Sequence, residues 1–189
     1  YDPANGSLQW TSSLTQPLEP GMAHYDGVPA ISPETGVIYT TGKYFTGVPY
    51  VRYNGVVATS PAGSRLWISP EDPDGYYPSE DASLAVGQEA VYSVWDDGSL
   101  RAHDLETGDQ IWSRPGSFYA ETYDPVTDGC RSVPSPVLDG NETVYLGGTD
   151  GYFYAIASSG DELWRYNLGT GYINSATIGD DGTVYVTTQ

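Results

Sequence analysis

The sequence has little positive charge, a single cysteine and no long apolar run. Its 189 residues include 7 Lys and Arg against 25 Asp and Glu, which gives a formal net charge of −18. A surface of this sign repels phosphate groups, so we expect no nucleic-acid partner and no binding to anionic lipid. Cys130 has no second cysteine with which to form a disulfide within the chain. No apolar run approaches the roughly 20 residues of a membrane-spanning helix, so we expect no membrane-spanning segment.

Residues that common catalytic sites require are also scarce. The sequence has no Gly-x-Ser-x-Gly elbow, no His-Glu-x-x-His pair and no phosphate-binding Walker loop. Its two histidines, His24 and His103, are isolated, so we expect packing or surface roles for them rather than a metal cluster. We therefore predict that the protein is not an enzyme, has no catalytic residues and needs no cofactor.

Turn-forming and aromatic residues are abundant. The chain has 23 Gly and 14 Pro, which disfavours long helices, and 13% of its residues are aromatic. This aromatic content is too high for a disordered acidic chain, so we expect a packed globular core.

Three short patterns repeat along the chain. Gly-x-x-x-Trp occurs at Gly6–Trp10, Gly63–Trp67, Gly108–Trp112 and Gly160–Trp164. A β-branched residue precedes Tyr39, Tyr92, Tyr145 and Tyr185. Between these marks lie Asn54-Gly55, Asp97-Gly98 and Asp150-Gly151, which predict tight hairpin turns of type I′. With a further short apolar run before each tyrosine strand, every unit is predicted to contain four antiparallel strands.

Four-stranded units that repeat every ~40–50 residues are typical of propeller blades. We therefore predict one all-β domain over residues 1–189, a β-propeller of about four four-stranded antiparallel blades. Complete blades are expected at about 28–67, 82–112 and 133–164. The half-blades at 1–10 and 173–189 are complementary, so one blade is split between the N- and C-termini.

The segment Ala102–Trp112 resembles a known family motif. It matches in full the Ala-x-Asp-x-x-x-Gly-x-x-x-Trp tryptophan-docking motif of the PQQ-like (quinoprotein-type) β-propellers. Ala58–Trp67 and Ala155–Trp164 match with one residue fewer and without the Asp, and Asp2–Trp10 keeps the second half. The resemblance implies a structural docking role for Gly6, Trp10, Gly63, Trp67, Ala102, Asp104, Gly108, Trp112, Gly160 and Trp164.

The same resemblance bears on activity. Quinone-dependent dehydrogenases of the family often carry adjacent cysteines and usually have eight blades, whereas this sequence has a single cysteine and about four blades. The resemblance therefore favours the non-enzymatic scaffold members, whose propellers bind other proteins.

The complementary half-blades leave three arrangements open. They meet within one chain as a closed ring, or between chains as a head-to-tail polymer, or the sequence is a segment of a larger ring. We favour self-association outside the cytoplasm, whether extracellular, at the cell surface or periplasmic, with Tyr1, Asp2 and Trp10 of one subunit beside Val184, Tyr185 and Val186 of the next. A closed monomeric propeller that binds a protein or glycan is the alternative, and a dehydrogenase fragment is a third.

Two stretches exceed the regular repeat length, and we predict that they are functional loops. They are Gly42–Tyr53 and Ser113–Arg131. Their aromatic residues are candidates for stacking on a sugar or on a partner protein, although core-capping roles explain them equally well. These residues are Tyr44, Phe45, Tyr50, Tyr53, Phe118 and Tyr119.

Two kinds of modification or ion site are also suggested by the sequence. Asp72, Asp74 and Asp81 stand in an acidic, glycine-containing stretch that offers the oxygen ligands calcium prefers, with a solvated acidic turn as the alternative. Asn5 and Asn141 begin Asn-x-Ser/Thr sequons and are candidate glycosylation sites.

Overall fold

The computed structural model describes Ala4, Ser7 and residues 28–46, 51–70, 72, 74–79, 82–118, 133–169 and 173–188. All the secondary-structure elements assigned in these ranges are β-strands. Within the same ranges no helix has the length and apolarity needed to cross a membrane. The half-blade predicted at 1–10 lies outside this part of the chain, apart from Ala4 and Ser7.

Three antiparallel sheets of four strands follow one another along the chain, and a two-stranded hairpin comes after them. Sheet 1 contains β1 (Ala30–Ile31), β2 (Ile38–Thr46), β3 (Val51–Thr59) and β4 (Arg65–Ile68). Sheet 2 contains β5 (Ala85–Val86), β6 (Ala90–Val94), β7 (Leu100–Asp104) and β8 (Gln110–Arg114). Sheet 3 contains β9 (Val137–Leu138), β10 (Val144–Gly147), β11 (Tyr152–Ile156) and β12 (Glu162–Asn167). The hairpin pairs β13 (Ile173–Ile178) with β14 (Val184–Thr188).

The sheets pack face to face in chain order. All five residues of β6 are buried because both faces of sheet 2 are covered. Val91 packs in the core shared with sheet 1, and Tyr92 packs in the core shared with sheet 3. Phe153 of sheet 3 and Ala176 of the hairpin form a further core. The first strands of successive units, β1, β5, β9 and β13, contact one another in that order, as expected around the axis of a propeller. The predicted all-β propeller fold is thus confirmed.

A β-bulge recurs at the same place in all three four-stranded sheets. The strand register shifts between Ala58 and Thr59, between Ala102 and His103, and between Ala155 and Ile156. The extra residue of each bulge lies on the fourth strand of its sheet, immediately before the docking tryptophan: it is Leu66, Ile111 or Leu163. A bulge increases the local twist, so the strand twists just where it presents the tryptophan.

The hairpin turns differ from the type I′ turns expected from sequence. Gly98 and Gly151 have φ values of 81° and 84°, but Glu142 is the only non-glycine with positive φ in the described ranges, so the preceding aspartates do not have the positive φ that a type I′ turn requires. Gly98 N donates a hydrogen bond to the Trp95 carbonyl and closes the first of these turns. The side chains of Asp97 and Asp150 accept bonds from the backbone two residues on, which stabilises each turn without positive φ at the aspartate.

The prediction of a long loop at Gly42–Tyr53 was wrong. β2 and β3 pair continuously from Ile38↔Thr59 to Thr46↔Val51, so most of this stretch is an extended hairpin. Asn54-Gly55, expected to form a turn, lies inside β3 opposite Gly42 and Lys43. Nine-residue strands on both sides supply enough ladder hydrogen bonds to override the local turn preference of Asn-Gly.

Candidate functional site

Trp67 connects sheet 1 to sheet 2 at a docking glycine. Its indole Nε1 donates a hydrogen bond of 2.9 Å to the Leu105 carbonyl. The ring covers Gly108 so closely that an added Cβ there would lie 2.5 Å from Trp67 Cε3. Gly108 also has a φ of 79°, so only glycine fits both the backbone and the contact.

Trp112 repeats this contact between sheets 2 and 3. Its Nε1 donates a 2.7 Å hydrogen bond to the Ser158 carbonyl, and an added Cβ on Gly160 would lie 2.9 Å from Trp112 Cδ2. Arg114 and Glu162 form a 2.7 Å ion pair across the same junction. Each of these two tryptophans therefore fastens its own sheet to the docking glycine of the sheet that follows.

Asp104 shapes the turn that presents Gly108. Its Oδ1 accepts 2.8 Å bonds from the backbone amides of Glu106 and Thr107. These two hydrogen bonds lower the pKa of the Asp104 carboxyl, and the bond from Thr107 makes the larger contribution. Ala102 is buried opposite Trp112 in the strand register. Gly63, in the sheet 1 motif, has a φ of 86°. Gly6 and Trp10 lie outside the described ranges.

Trp164 is the third tryptophan in this series, and its surroundings differ. It is 45% exposed, whereas Trp67 and Trp112 are half-buried. Tyr166, two residues along the same strand, is 65% exposed. A groove of about 490 Å³ lies between β12 and the hairpin. We name it the apolar groove, and it is lined mainly by Phe153, Trp164, Tyr166, Leu168, Val184 and Val186.

The predicted self-association residues of the C-terminal strand lie at this groove. Val184 and Val186 line it, and Tyr185 is 58% exposed on the same strand. In sheets 1 to 3 the second strand has partners on both edges, but β14 pairs only with β13 in the described part of the chain. β14 therefore borders the groove, and among the described residues its second edge has no partner strand. Tyr1, Asp2 and Trp10 are outside the described ranges.

A buried arginine occupies the junction on the other side of sheet 2. The guanidinium of Arg101 forms ion pairs with Asp72 at 2.5 Å and Asp97 at 2.6 Å, and it lies 3.8 Å from the ring centroid of Trp95. Burial alone would raise the pKa of Asp97, but hydrogen bonds from Ser99 and Arg101 produce a net lowering. Because Asp72 follows sheet 1, this cluster ties the linker to the face of sheet 2.

Asp72, a predicted calcium ligand, belongs to this ion-paired cluster. Its Oδ2 accepts from Arg101 and its Oδ1 accepts from the amide of Asp74, so protein donors engage both oxygens. A buried guanidinium requires counterions, and Asp72 supplies one of them. In the described ranges, no group of three His, Cys, Asp or Glu residues is placed to hold a metal ion. Asp81, the third predicted ligand, lies outside those ranges.

The aromatic residues predicted to bind a partner lie in different parts of the structure. Phe118 is only 1% exposed, and its ring meets that of Tyr154 edge-on with the centroids 5.2 Å apart. It packs in the core between sheets 2 and 3, so the prediction that it belongs to a binding loop was wrong. Tyr44, Phe45 and Tyr53 lie on the paired strands β2 and β3. Tyr50 and Tyr119 lie outside the described ranges. Of the sequon residues, Asn141 lies in the exposed turn between β9 and β10, and Asn5 falls outside.

The sequence reasoning missed the cluster around Arg101. Asp72 lies in the linker after sheet 1, Asp97 in the turn between β6 and β7, and Arg101 inside β7, so no contiguous sequence motif indicates the cluster. Two signals were available: Trp95 is the one tryptophan outside the Gly-x-x-x-Trp repeat, and Arg101 is one of only 7 basic residues yet stands within a predicted strand.

Comparisons with known proteins show the family and the fold. The family model described as outer membrane protein assembly factor BamB matches residues 1–189. BamB of Kangiella koreensis is 25% identical over 191 residues, which covers 97% of this chain and 41% of the relative. The crystal structure of BamB from Moraxella catarrhalis superposes with a TM-score of 0.60 at 18% identity, covering 89% of this chain and 43% of that one.

A quinone enzyme shares the fold. The quinohemoprotein alcohol dehydrogenase of Comamonas testosteroni has a TM-score of 0.50 at 18% identity, over 77% of this chain and 22% of the enzyme. This chain spans about two fifths of the length of the BamB relatives that it matches. The family match confirms the resemblance that the Ala102–Trp112 motif indicated.

Proposed function

The chain belongs to the PQQ-repeat propeller family described as outer membrane protein assembly factor BamB, and we propose that it is a protein-binding scaffold that assembles with copies of itself. The proposed site of action is outside the cytoplasm, in keeping with the name of the relatives. The single cysteine, which leaves no adjacent cysteine pair, supports a scaffold rather than a quinone-dependent dehydrogenase.

The observation that carries the proposal is the exposure of the Trp164 face. Trp67 docks on Gly108 and Trp112 docks on Gly160, each on the glycine of the next unit. Trp164 has the same place in its motif, yet it is 45% exposed beside the apolar groove. An exposed apolar surface next to a strand edge that is unpaired among the described residues is typical of an interaction site.

The repeat order supports one occupant of the groove, the N-terminal segment of a second copy. The docking motifs follow one another along the chain, and the motif that comes next in cyclic order after Trp164 is Asp2–Trp10, which contains Gly6. We propose that residues 1–10 of a second copy occupy the apolar groove and pair with β14. Trp164 of one subunit then docks on Gly6 of the next.

The first experiment measures the mass of the purified 189-residue chain by light scattering. We expect particles larger than the 20.4 kDa monomer. Trp164→Glu places a charge in the groove and should give folded monomers. Leu163→Glu is the matched control, because Leu163 is 56% exposed on the same strand but does not line the groove. A wild-type chain that remains a uniform monomer at all concentrations would refute self-association.

A mixing experiment tests whether the apolar groove and the N-terminal motif are the two surfaces that bind each other. Trp164→Glu disables the groove and leaves the N-terminal motif intact, whereas Gly6→Val disables the motif and leaves the groove intact. If the contact forms between chains, each variant alone is monomeric, and an equimolar mixture forms a heterodimer through the one intact junction. If mixing produces no heterodimer, the groove and the N-terminal motif do not bind each other, and the proposal fails.

A further inference from the structure

The junction between sheets 2 and 3 has a second contact besides the docking of its tryptophan on its glycine. Arg114 follows Trp112 by two positions on β8. Glu162 follows Gly160 by two positions and begins β12. The Arg114 guanidinium forms the 2.7 Å ion pair with Glu162 and also donates a 3.3 Å hydrogen bond to the Gly160 carbonyl. The common docking contact is therefore supplemented by a contact between two particular side chains.

The strand register gives Tyr166 the place that Arg114 has one unit earlier. In sheet 2, Arg114 lies opposite Leu100, two residues before the alanine that faces the docking tryptophan. In sheet 3, Tyr166 lies opposite Phe153, which is also two residues before the alanine that faces the docking tryptophan. Tyr166 is 65% exposed and lines the apolar groove, as Trp164 does. We therefore expect Tyr166 to face the residue that lies two positions after the glycine of a docked motif.

The residue two positions after the docking glycine differs between the motifs. It is Leu8 in the N-terminal motif, whereas the three later motifs have Arg65, Gln110 and Glu162 there. Leu8 is therefore the one apolar residue at this position. Against the Tyr166 ring a leucine buries apolar surface, whereas a glutamine or a charged residue loses water without gaining a hydrogen-bond partner.

The surroundings of Tyr166 offer no counterion to a charged residue. Arg165 is the one charged residue among those that line the groove. Its guanidinium is turned to the other face of β12, where it lies 5.0 Å from the centroid of the Tyr152 ring, and its Nε lies 3.7 Å from Glu162 Oε1. Tyr152 packs against the core shared by sheets 2 and 3. The side of the groove next to Tyr166 is therefore apolar, as a leucine requires.

We propose that Tyr166 selects the N-terminal motif of a second copy through contact with Leu8, as Arg114 pairs with Glu162 inside the chain. This inference rests on the proposed function and names the residue pair that makes the groove specific for residues 1–10. The docking glycine and tryptophan are common to every motif, so they do not distinguish one motif from another. The selectivity of the junction therefore depends on this second pair.

The test is a four-way binding cycle between two chains that share a single junction. The groove chain carries Gly6→Val, so it offers only the groove, and it has either the native Tyr166 or Tyr166→Arg. The motif chain carries Trp164→Glu, so it offers only the N-terminal motif, and it has either the native Leu8 or Leu8→Glu. Dissociation constants of the heterodimer are measured for the four combinations by analytical ultracentrifugation. The combination with both substitutions reproduces the ion pair found between sheets 2 and 3.

The matched combinations should bind more tightly than the mixed ones. We expect the native pair, and the pair of Tyr166→Arg with Leu8→Glu, to bind at least about tenfold more tightly than either mixed combination. The cycle cancels any general loss that one substitution causes, because that loss is present in two of the four combinations. Leu163→Arg is the control, since it places the same charge on an exposed side chain of β12 that does not line the groove. It should bind the two motif chains in the same ratio as the native groove chain does.

Two results would overturn the inference, and they differ in what they mean for the proposed function. If the native pair binds but the effects of the two substitutions are additive, self-association stands and Tyr166 does not select the motif. If the native pair does not bind, the proposed self-association fails, and selection by Tyr166 fails with it.

Discussion

The buried imidazole of His103 should make this protein less stable as the pH falls through the weakly acidic range. In the unfolded chain the side chain takes up a proton near pH 6.5, but in the folded protein burial lowers its pKa to about 4. Between these values the unfolded state binds more protons than the folded state. Linkage then requires that the free energy of unfolding decrease as the pH is lowered.

The size of the effect follows from the two pKa values. A difference between 6.5 and about 4 corresponds to about 3 kcal/mol, since each pKa unit is worth about 1.4 kcal/mol. The loss begins as the pH falls below about 6.5 and is complete near pH 4. Carboxylates with lowered pKa values, such as Asp97 and Asp104, lose their contribution at lower pH, below the ordinary value of 3.8.

The assay compares the wild type with His103→Asn by urea denaturation at a series of pH values from neutral to about 4. His103 Nδ1 lies 3.2 Å from the Gly108 carbonyl oxygen, and Asn keeps a donor for that oxygen but does not titrate. The variant has its own constant offset in stability, so the informative quantity is the difference between the two proteins as a function of pH. All other titrating groups are shared and cancel in this difference.

We expect the difference to change by about 3 kcal/mol in favour of the variant as the pH falls to about 4. A difference that stays constant over this range would refute the burial of a neutral imidazole at this position. A difference that changes in the opposite sense would mean that the folded protein stabilises the charged ring. The carboxylates Asp72 and Asp97 would then outweigh burial.

Two further predictions test the junction contacts by urea denaturation. Gly108→Ala should cost more than about 2 kcal/mol, because left-handed strain of about 1 kcal/mol is joined by a collision with the indole of sheet 1. Gly75→Ala carries similar strain at a φ of 83° with nothing within 4 Å of the new Cβ, so it should show the smaller loss alone. Arg101→Met should cost about 3 kcal/mol, since it leaves two partly buried carboxylates without a counterion. Arg165→Met, at a side chain that is 53% exposed, should change stability little, and an equal loss in both variants would contradict the ion-pair argument.

The propeller architecture was predictable because its signals are local and repeated. Gly108 and Trp112 recur at fixed spacing, and each repeat has the same backbone requirement, namely a left-handed glycine that an indole can cover. Local patterns were less reliable where strand pairing competes with them. Asn54-Gly55 has the composition of a turn, yet the extended ladder between β2 and β3 holds it inside a strand.

The candidate sites depended on contacts between residues that are distant in sequence. Asp72 was expected to bind calcium because its neighbours in the chain are acidic. The structure pairs it with Arg101, 29 residues away, across the junction of two sheets, a contact that the order of the chain does not indicate. Phe118 belongs to a stretch that was predicted to be a functional loop, but its ring contacts Tyr154 in the core between sheets 2 and 3. In both cases the partner that decides the role comes from another blade.

The sequence by itself determined the repeating unit, the all-β class and the positions of the docking glycines and tryptophans. These follow from short-range rules of turn geometry, strand alternation and spacing, which act within one blade. Only the tertiary structure decided that Trp164 is exposed, that Arg101 is buried with its carboxylates, and that His103 Nε2 has no partner. Burial and hydrogen-bond satisfaction are properties of the packed faces between blades, and the identity of the facing residues is set by how the sheets stack.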